Sequence, residues 1–544
     1  MKKHYLLGLF LVLFMSPQVH SQNSLAIEWE YSFGGSGADL GKKVLCTTQG
    51  DYVFLGDGVA TSNGDLPPAI GGADIILTKF SKWGQKKWVK TFGSDDGLWW
   101  DKNSTMAADF SPTIDGGFII IGSEWSAMHG DSTIIIKTDS TGNQQWRKTY
   151  RDLYQPWAIR QKKDGTYVLG LLNTLAISGA DIVIAGLDNA GNLSWKDTLT
   201  GSKSEYGNDL ELTQDGGFVL TGSTMSQDGD FSTSNGLNEY DGFIAKYTEH
   251  NQLQWLKCLG AVTSDILRTI QEDSDGNFWA GGEMDHDEAW LVKTDKNGNL
   301  LWQKTWAGNW TNIIRGLTLT ADGNLAVCGS VLSTDGDFAA NINGHRSWVA
   351  KINKANGQIM HQGWFGGQSY EDAPVDILED PEGSLVIISS TWPNNPYVSA
   401  YKGGDSDIWM VKLRNAVNTI KATVYLDNNK NGQKDVGEPP FSEAYIKLKK
   451  NATDSALLSY DGGSFTAHVD TGRYEISLTP FRSYYTITPA AKQAYFTGYN
   501  KTDSVSFGVV PVPGIVDLTI SSWSTDPARM GRNTNINIKS LLSD

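Results

Sequence analysis

One spacing organises most of this chain. In DIILTKFSKWGQKKW, Lys79 precedes Trp88 by nine residues, and the same interval separates Lys137 from Trp146, Gly186 from Trp195, Lys246 from Trp255 and Lys293 from Trp302. Each interval starts in an apolar run of strand length and crosses a turn such as TDSTGN or TDKNGN. A constant interval across a turn means a hairpin of fixed register, because a slip of one residue would turn every side chain to the other face. The apolar run recurs seven times: DIILTKF (74–80), STIIIKT (132–138), DIVIAGL (181–187), DGFIAKY (241–247), EAWLVKT (288–294), RSWVAKI (346–352) and DIWMVKL (407–413).

Upstream of these runs lies a second hairpin, whose turn reads IDGGF (114–118), KDGTY (163–167), QDGGF (214–218), SDGNF (274–278) or ADGNL (321–325). Asp-Gly favours a type I′ turn, in which both central residues take positive φ. Each unit is therefore expected to be a four-stranded antiparallel meander. One such sheet cannot bury both faces, whereas copies stacked side by side can, and joining the ends removes the exposed edges. The fourth strand carries its Trp in five copies, reaches Met360 at the same position in the sixth, and is missing after Lys412 in the seventh. The segment IEWEYSFGG (27–35), with Trp29, offers the missing strand. The expected fold is all-β: a seven-bladed β-propeller over residues 22–418, closed by the N-terminal strand.

The pattern of Trp and Lys followed by FGG, then DGG, GS and a D-x-W-x-x-K run, seen across residues 27–413, resembles bacterial secreted repeats of the SBBP type, common in exported proteins of the Bacteroidetes. The resemblance implies a propeller fold and an extracellular setting, and little about function. The recurrent Trp is also similar to the tryptophan docking of quinoprotein-like propellers, whose vicinal cysteine pair has no counterpart here.

Composition agrees with many short strands and tight turns, at 59 Gly and 20 Trp in 544 residues. A net charge of −16 argues against a nucleic-acid partner, since little would neutralise phosphates. Lys2 and Lys3 before YLLGLFLVLFM, with small residues near VHS (19–21), give residues 1–21 the form of a signal peptide. That apolar run is too short to span a bilayer and no later one is long enough, so the expectation is a secreted or cell-surface protein without a transmembrane segment, and a monomer. Cys46, Cys258 and Cys328 are too few and too scattered for a disulfide framework, and Cys258 and Cys328 read as small buried hydrophobes.

In a meander the first-to-second and third-to-fourth turns lie on one edge, and here they are short and uniform. The other connections share the opposite edge and vary in length, from EMDHD (283–287) to STMSQDGDFSTSNGLNEY (223–240) and SSTWPNNPYVSAYKGGDS (389–406). Variable loops on a rigid frame are where recognition tends to sit. Trp99, Trp100, Trp157, Trp310, Trp392 and Tyr397 fall there, and could form an aromatic platform for a sugar or peptide or could pack the loops. SQDGDFS (226–232) and STDGDFA (333–339) read as Asp-Gly turns rather than full metal loops. His129, His286 and His345 read as isolated loop histidines. No G-x-S-x-G or HExxH occurs, so no catalytic residue is assigned. Paired loop carboxylates leave a glycoside hydrolase open.

The rhythm changes near residue 419. YLDNNKNGQKDVGEPPF (425–441) matches D-x-[DN]-x-[DN]-G-x5-E, placing Asp427, Asn429, Asn431 and Glu438 as side-chain ligands of Ca2+. Gln433 would offer its backbone carbonyl, and Asp435 would bind directly or through water. The loop lies between strand-like segments and not helices. In this it resembles the B-type repeat of bacterial surface adhesins, a prealbumin-like sandwich, which implies a calcium-stiffened spacer over residues 419–510. Residues 511–544 begin like another Ig-type repeat and end before a core could form. The functional expectation is an exported, non-enzymatic binding or adhesion protein for an extracellular carbohydrate or protein. The alternatives are a carbohydrate-active hydrolase or lyase and a purely structural surface component.

Overall fold

The structure, a computed structural model, describes residues 25–513 apart from 60–63, 95–103, 127–129, 154, 175–178, 235–238, 340, 342–346, 367–372, 394–397, 399–400, 416–417, 442–443, 451–453, 459–462, 470–471, 481–483 and 497–500, together with 517–519 and 539–541. Residues 1–21, expected to be a signal peptide, lie outside the described residues.

Residues 25–415 form four-stranded antiparallel units. The first comprises Asp39–Cys46, Tyr52–Val59, Ala73–Phe80 and Lys86–Phe92. The second, Ser104–Pro112 to Gln144–Tyr150, joins the first through one parallel bridge, Ala73 to Ser104, into an eight-stranded sheet. Four separate sheets follow, opening with Gln155–Gln161, Glu205–Leu212, Ile266–Glu272 and Asn312–Leu319. The last sheet comprises Pro374–Glu379, Leu385–Thr391 and Asp407–Asn415, with Leu25–Phe33 as its outer strand, where Trp29 faces Lys412.

The expectation of a seven-bladed β-propeller is corrected here. The fold is all-β, built of several separate small antiparallel sheets, and no sheet among the described residues is closed into a propeller barrel. A four-stranded meander leaves both its edges as ends, so burial comes from packing one sheet face on the next and not from closure of any sheet.

Two devices position neighbouring sheets. The first is the Lys–Trp interval, which is a directly opposed cross-strand pair: Lys79 with Trp88, Lys137 with Trp146, Lys246 with Trp255 and Lys293 with Trp302. The Lys turns back to a carboxylate of its own first hairpin, as in Lys137–Asp115 (2.8 Å), Lys246–Asp215 (2.9 Å) and Lys412–Asp380 (2.9 Å). The Trp reaches forward to the next unit's turn. A Cβ on Gly142 would meet the Trp88 ring at 2.8 Å, and one on Gly191 would meet Trp146 at 2.9 Å. Both glycines hold φ +79°, so they are required twice over, by conformation and by the ring above them. Trp29 and Trp255 complete the dock by donating Nε1–H to the turn carbonyls of Lys82 (3.1 Å) and Lys296 (3.2 Å).

The second device is a bulge in every first strand, for example between Ala107 and Asp109, Gly207 and Asp209, and Pro374 and Asp376. It re-aims the acid. Asp109, Asp209 and Asp376 each accept the backbone N–H of the following unit's first strand, from Ile159 (2.9 Å), Ile270 (3.0 Å) and Val44 (2.9 Å). Apolar side chains fill the space between. Trp29, Phe33, Ile408 and Met410 of the last sheet pack with Phe54 and Phe80 of the first.

Two local expectations are also corrected. In the Asp-Gly turns only the glycine takes positive φ (Gly116, +79°), while Gly116 N–H donates to Thr113 O and Thr113 N–H to Gly117 O. That is a type I turn followed by a left-handed glycine bulge, with Asp115 held at negative φ to receive Lys137, and not type I′. In the sixth unit Lys351 faces His361, not Met360, because that turn carries one more residue.

Beyond residue 418, Asn418–Leu426 pairs with Ser464–Val469 and, in parallel, with Thr502–Pro511, which also pairs with Tyr485–Thr488. A second sheet holds Ala444–Lys450, Asp454–Leu458, Gly472–Pro480 and Ala491–Phe496. One cluster, with Ile420, Val424, Ile446, Ile476 and Phe507, lies between them. Asp517–Thr519 pairs with Lys539–Leu541.

Candidate functional site

The loop after Leu426 gathers its polar groups inward. Asp427 is buried, and its two oxygens accept the backbone N–H groups of Asn431 (3.1 Å) and Gly432 (2.8 Å). Asn429 Oδ1 accepts from Asn431 N–H (3.1 Å) and Asn431 Oδ1 from Gln433 N–H (2.7 Å). Both carboxamide nitrogens donate to Asp435 Oδ2, at 2.6 and 2.7 Å. Glu438 closes the loop on the N–H groups of Asn428 (2.9 Å) and Asp435 (3.0 Å). Gly432 holds φ +71°, the sharp turn such a loop needs. Burial first, then the negative charges of Asp427, Glu438 and Asp435, push the Tyr425 phenol up. Strands on either side fix the loop ends, so no helices are required. Among the described residues no three His, Cys, Asp or Glu side chains form a ready metal cage. The two carboxamides stand between the acids instead, and the donor set of carboxylate and amide oxygens is one a hard divalent cation accepts.

The aromatic residues expected to form one platform do not share a place. Trp99, Trp100 and Tyr397 lie outside the described residues, as do His129 and His345. Trp310 is 60% exposed, on a loop pinned by Ser333 Oγ, which accepts its N–H (3.0 Å) and donates to its carbonyl (2.8 Å). Trp392 is half-buried. Trp157 is not on a loop: it lies in the strand Gln155–Gln161, its ring against Gly170 and Gly207. His286 stands alone on its loop, with Glu239 at 3.7 Å.

The Asp-Gly segments act as clips. Asp228 and Asp230 accept the N–H groups of Ser202 (2.8 Å) and Thr200 (2.9 Å), and Asp335 and Asp337 those of Asn309 (2.7 Å) and Ala307 (2.9 Å). Each clip ties a long loop of one unit to the connection that enters that unit from the one before. Carboxylates also meet inside this edge. A Cβ on Gly34 would stand 2.4 Å from oxygens of both Asp39 and Asp407, and both acids are buried. Burial chiefly pushes Asp39 up to about 7, with Asp407 adding to it, and burial likewise pushes Glu205 up to about 7. These acids are closed off from solvent, so their geometry serves the frame.

A feature the sequence reading missed is a cavity of about 360 Å³ reached by the first strand of every unit, through Lys43, Asp109, Trp157, Asp209, Arg268, Arg315 and Asp376. Its signal in the sequence is a charged or bulky polar residue recurring in each first strand, as in GKKV, AADF, NDLE, LRTI, IRGL and VDIL. Asp109 takes Lys43 (2.9 Å) and the buried Arg160, which also reaches Glu211 (2.7 Å). Lys42 pairs with Asp57 (3.1 Å) and Arg268 with Glu283 (2.6 Å). Burial pushes Asp376 up to about 6. Burial first, then the positive Arg268 nearby, push the Arg315 guanidinium down. Burial also raises the thiols of Cys46 and Cys258 to about 11, so neither is an activated nucleophile.

No family model and no curated protein matches the chain. Among solved structures it has a distant resemblance to a Bacteroidetes extracellular domain, that of a hybrid two-component system from B. thetaiotaomicron. The identity is 10% and the TM-score 0.37, with 89% of this chain and 59% of that one covered. The chain thus spans about 59% of that protein's length. It is also similar to a fungal alcohol oxidase of the AA5 family in complex with copper (10% identity, TM-score 0.39, 89% and 100% covered). A third similarity is to YCF48 bound to D1 peptide (10%, 0.41, 73% and 98%). At these scores the similarities carry no argument about activity or ligand. No helix among the described residues is long and apolar enough to cross a membrane.

Proposed function

We propose that the chain is an exported, non-enzymatic binding protein that displays the loop-rich edge of its seven units to an extracellular carbohydrate or protein, on a spacer stiffened by calcium. The observation that carries this reading is the clipping of that edge. Asp228, Asp230, Asp335 and Asp337 each hold a backbone N–H of the adjoining connection, and Glu205 and Asp265 donate theirs to Ala180 and Tyr240 (both 2.6 Å). Loops held this way lose little further entropy on binding, which favours recognition by a preformed surface. Kinship with secreted SBBP-type repeats and with the B-type repeat of surface adhesins rests on sequence pattern and supports the extracellular setting.

Calcium belongs to the same proposal. Asp427, Asn429, Asn431, Asp435 and Glu438, with the Gln433 carbonyl, would hold it once the two carboxamides turn their oxygens inward. Two neutral ligands predict a modest affinity, on the order of 10⁻⁴ to 10⁻³ M.

The test is a glycan and peptide array probed with the secreted chain, followed by assay of any ligand for turnover. Saturable binding, weakened by Trp310→Ala and without product, supports the reading. Product release from a bound glycan would replace it with a hydrolase.

A further inference from the structure

The cavity among the first strands is lined by many charged groups, yet its unmet needs are all of one sign. Among its lining residues, the buried side-chain nitrogen and oxygen atoms without a hydrogen-bond partner are Trp157 Nε1, Arg268 Nε and Arg315 Nε. All three are donors. The lining acids are engaged instead: Asp109 by Lys43, Arg160 and Ile159 N–H, Asp209 and Asp376 by backbone N–H groups, and Glu211 by Arg160. Every lining cation but one has an ion pair. Arg315 forms none among the described residues, and the largest charged influence on it is another cation, Arg268, with Glu283 opposing it. The strand that carries it cannot swing away. A Cβ on Gly316 would meet Cys328 Sγ at 2.9 Å and Asp376 Cα at 3.1 Å, so the backbone beside Arg315 is wedged in place.

A buried donor without an acceptor costs about 1–3 kcal/mol, and more when charged. Three such donors facing one cavity are a negative image of an acceptor-rich occupant. We propose that this cavity is a binding site for a small monocarboxylate, with Arg315 as its counter-ion and Arg268 and Trp157 as further donors. The guanidinium fork matches a carboxylate in two parallel hydrogen bonds. One uncompensated positive charge suits one negative charge; a polyanion such as phosphate would meet Asp109, Asp209, Glu211 and Asp376 as well. A volume of about 360 Å³ is at the small end of ligand pockets and excludes polymers from the interior. The site is separate from the loop-rich edge, so its failure leaves the array experiment untouched.

The experiment is calorimetry and thermal melting of the full chain with acetate, benzoate and inorganic phosphate. Arg315→Met, Arg315→Lys and Trp157→Phe are run beside it. Saturable carboxylate binding is expected. It should weaken about tenfold or more in Arg315→Met, and substantially in Arg315→Lys, which keeps the charge but not the fork. Arg315→Met without ligand should melt no lower than the parent, because an unpaired buried cation has been removed. Three results overturn the proposal: no saturation in the millimolar range, which would leave the cavity to water; phosphate binding as tightly as acetate; or carboxylate binding unchanged in the Arg315 variants. Should Arg315→Met fail to fold, the Arg315→Lys and Trp157→Phe titrations decide alone.

Discussion

The two regions of this molecule are both all-β, yet they are held by different means. Residues 25–415 are cross-braced many times over. Six units pair a Lys with a carboxylate of their own hairpin, aromatic rings cap the next unit's turn, and bulged acids take the next unit's backbone. Beyond residue 418, one apolar cluster holds two sheets together. Its densest polar bonding sits in the loop 427–438. Repetition makes the first region tolerant of local loss. The second has a single core and a single loop on which its order depends.

The largest effects should expose that contrast. Trp409→Ala removes a fully buried ring that also donates to Glu30 (2.9 Å), and Phe507→Ala removes one from the other core. Each should cost about 3–5 kcal/mol. Calorimetry should show Phe507→Ala lowering only the transition of the second region, while tryptophan fluorescence, to which residues 419–510 contribute nothing because they hold no Trp, keeps the parent midpoint. Simultaneous loss of both regions would break the comparison.

Next is Lys412→Met. Its ammonium is fully buried on Asp380, which also accepts Tyr52 OH (2.7 Å), so the substitution strands a buried carboxylate at about 3 kcal/mol. Urea midpoints should recover in the double variant with Asp380→Asn.

A smaller and sharper pair is Gly142→Ala against Gly116→Ala. Both positions hold φ +79°, but a Cβ meets Trp88 at the first and nothing within 4 Å at the second. Conformation alone costs about 1 kcal/mol, so Gly142→Ala should lose more, and the excess measures the docking of Trp88. Equal losses would mean that the ring does not brace the turn.

Smallest is a pH effect confined to the first region. Burial raises Asp39 and Glu205 to about 7 in the fold, above their unfolded values. The folded state therefore keeps protons that the unfolded chain has released, and stability falls as pH rises from about 4 to 7. Glu205→Gln should flatten that decline by a few degrees in melting temperature, read by calorimetry at pH 5 and pH 8. An unchanged slope counts against the buried acid.

Much of the local structure was legible in the residues. The Lys–Trp interval is a cross-strand pair because a nine-residue spacing across a tight turn leaves only one register. Gly186 and Asn251 show where the rule bends. In the third unit Gly stands for Lys, Trp195 folds over Gly186 of its own sheet, and the next turn can hold Asn251, at φ +62°, in place of glycine. Less was legible where function depends on distance. Trp157 looked like a loop residue beside YQP but lies within a strand, where Gly170 of its own sheet and Gly207 of the neighbouring unit lie against its ring. The cavity could not be seen because its lining residues come from seven separated segments, each of which alone reads as an ordinary bulged strand. Closure of the fold was likewise inferred from the count of strands, and a count does not describe how sheets end.

The measurement that bears most directly on the two-region account is hydrogen–deuterium exchange of the full chain with and without millimolar calcium. The account predicts slower exchange in 418–511, strongest at Asn431, Gly432 and Gln433, with residues 25–415 unchanged, and loss of the effect in Asp427→Asn with Glu438→Gln. Equal protection with and without the metal, or protection spread through both regions, would contradict it.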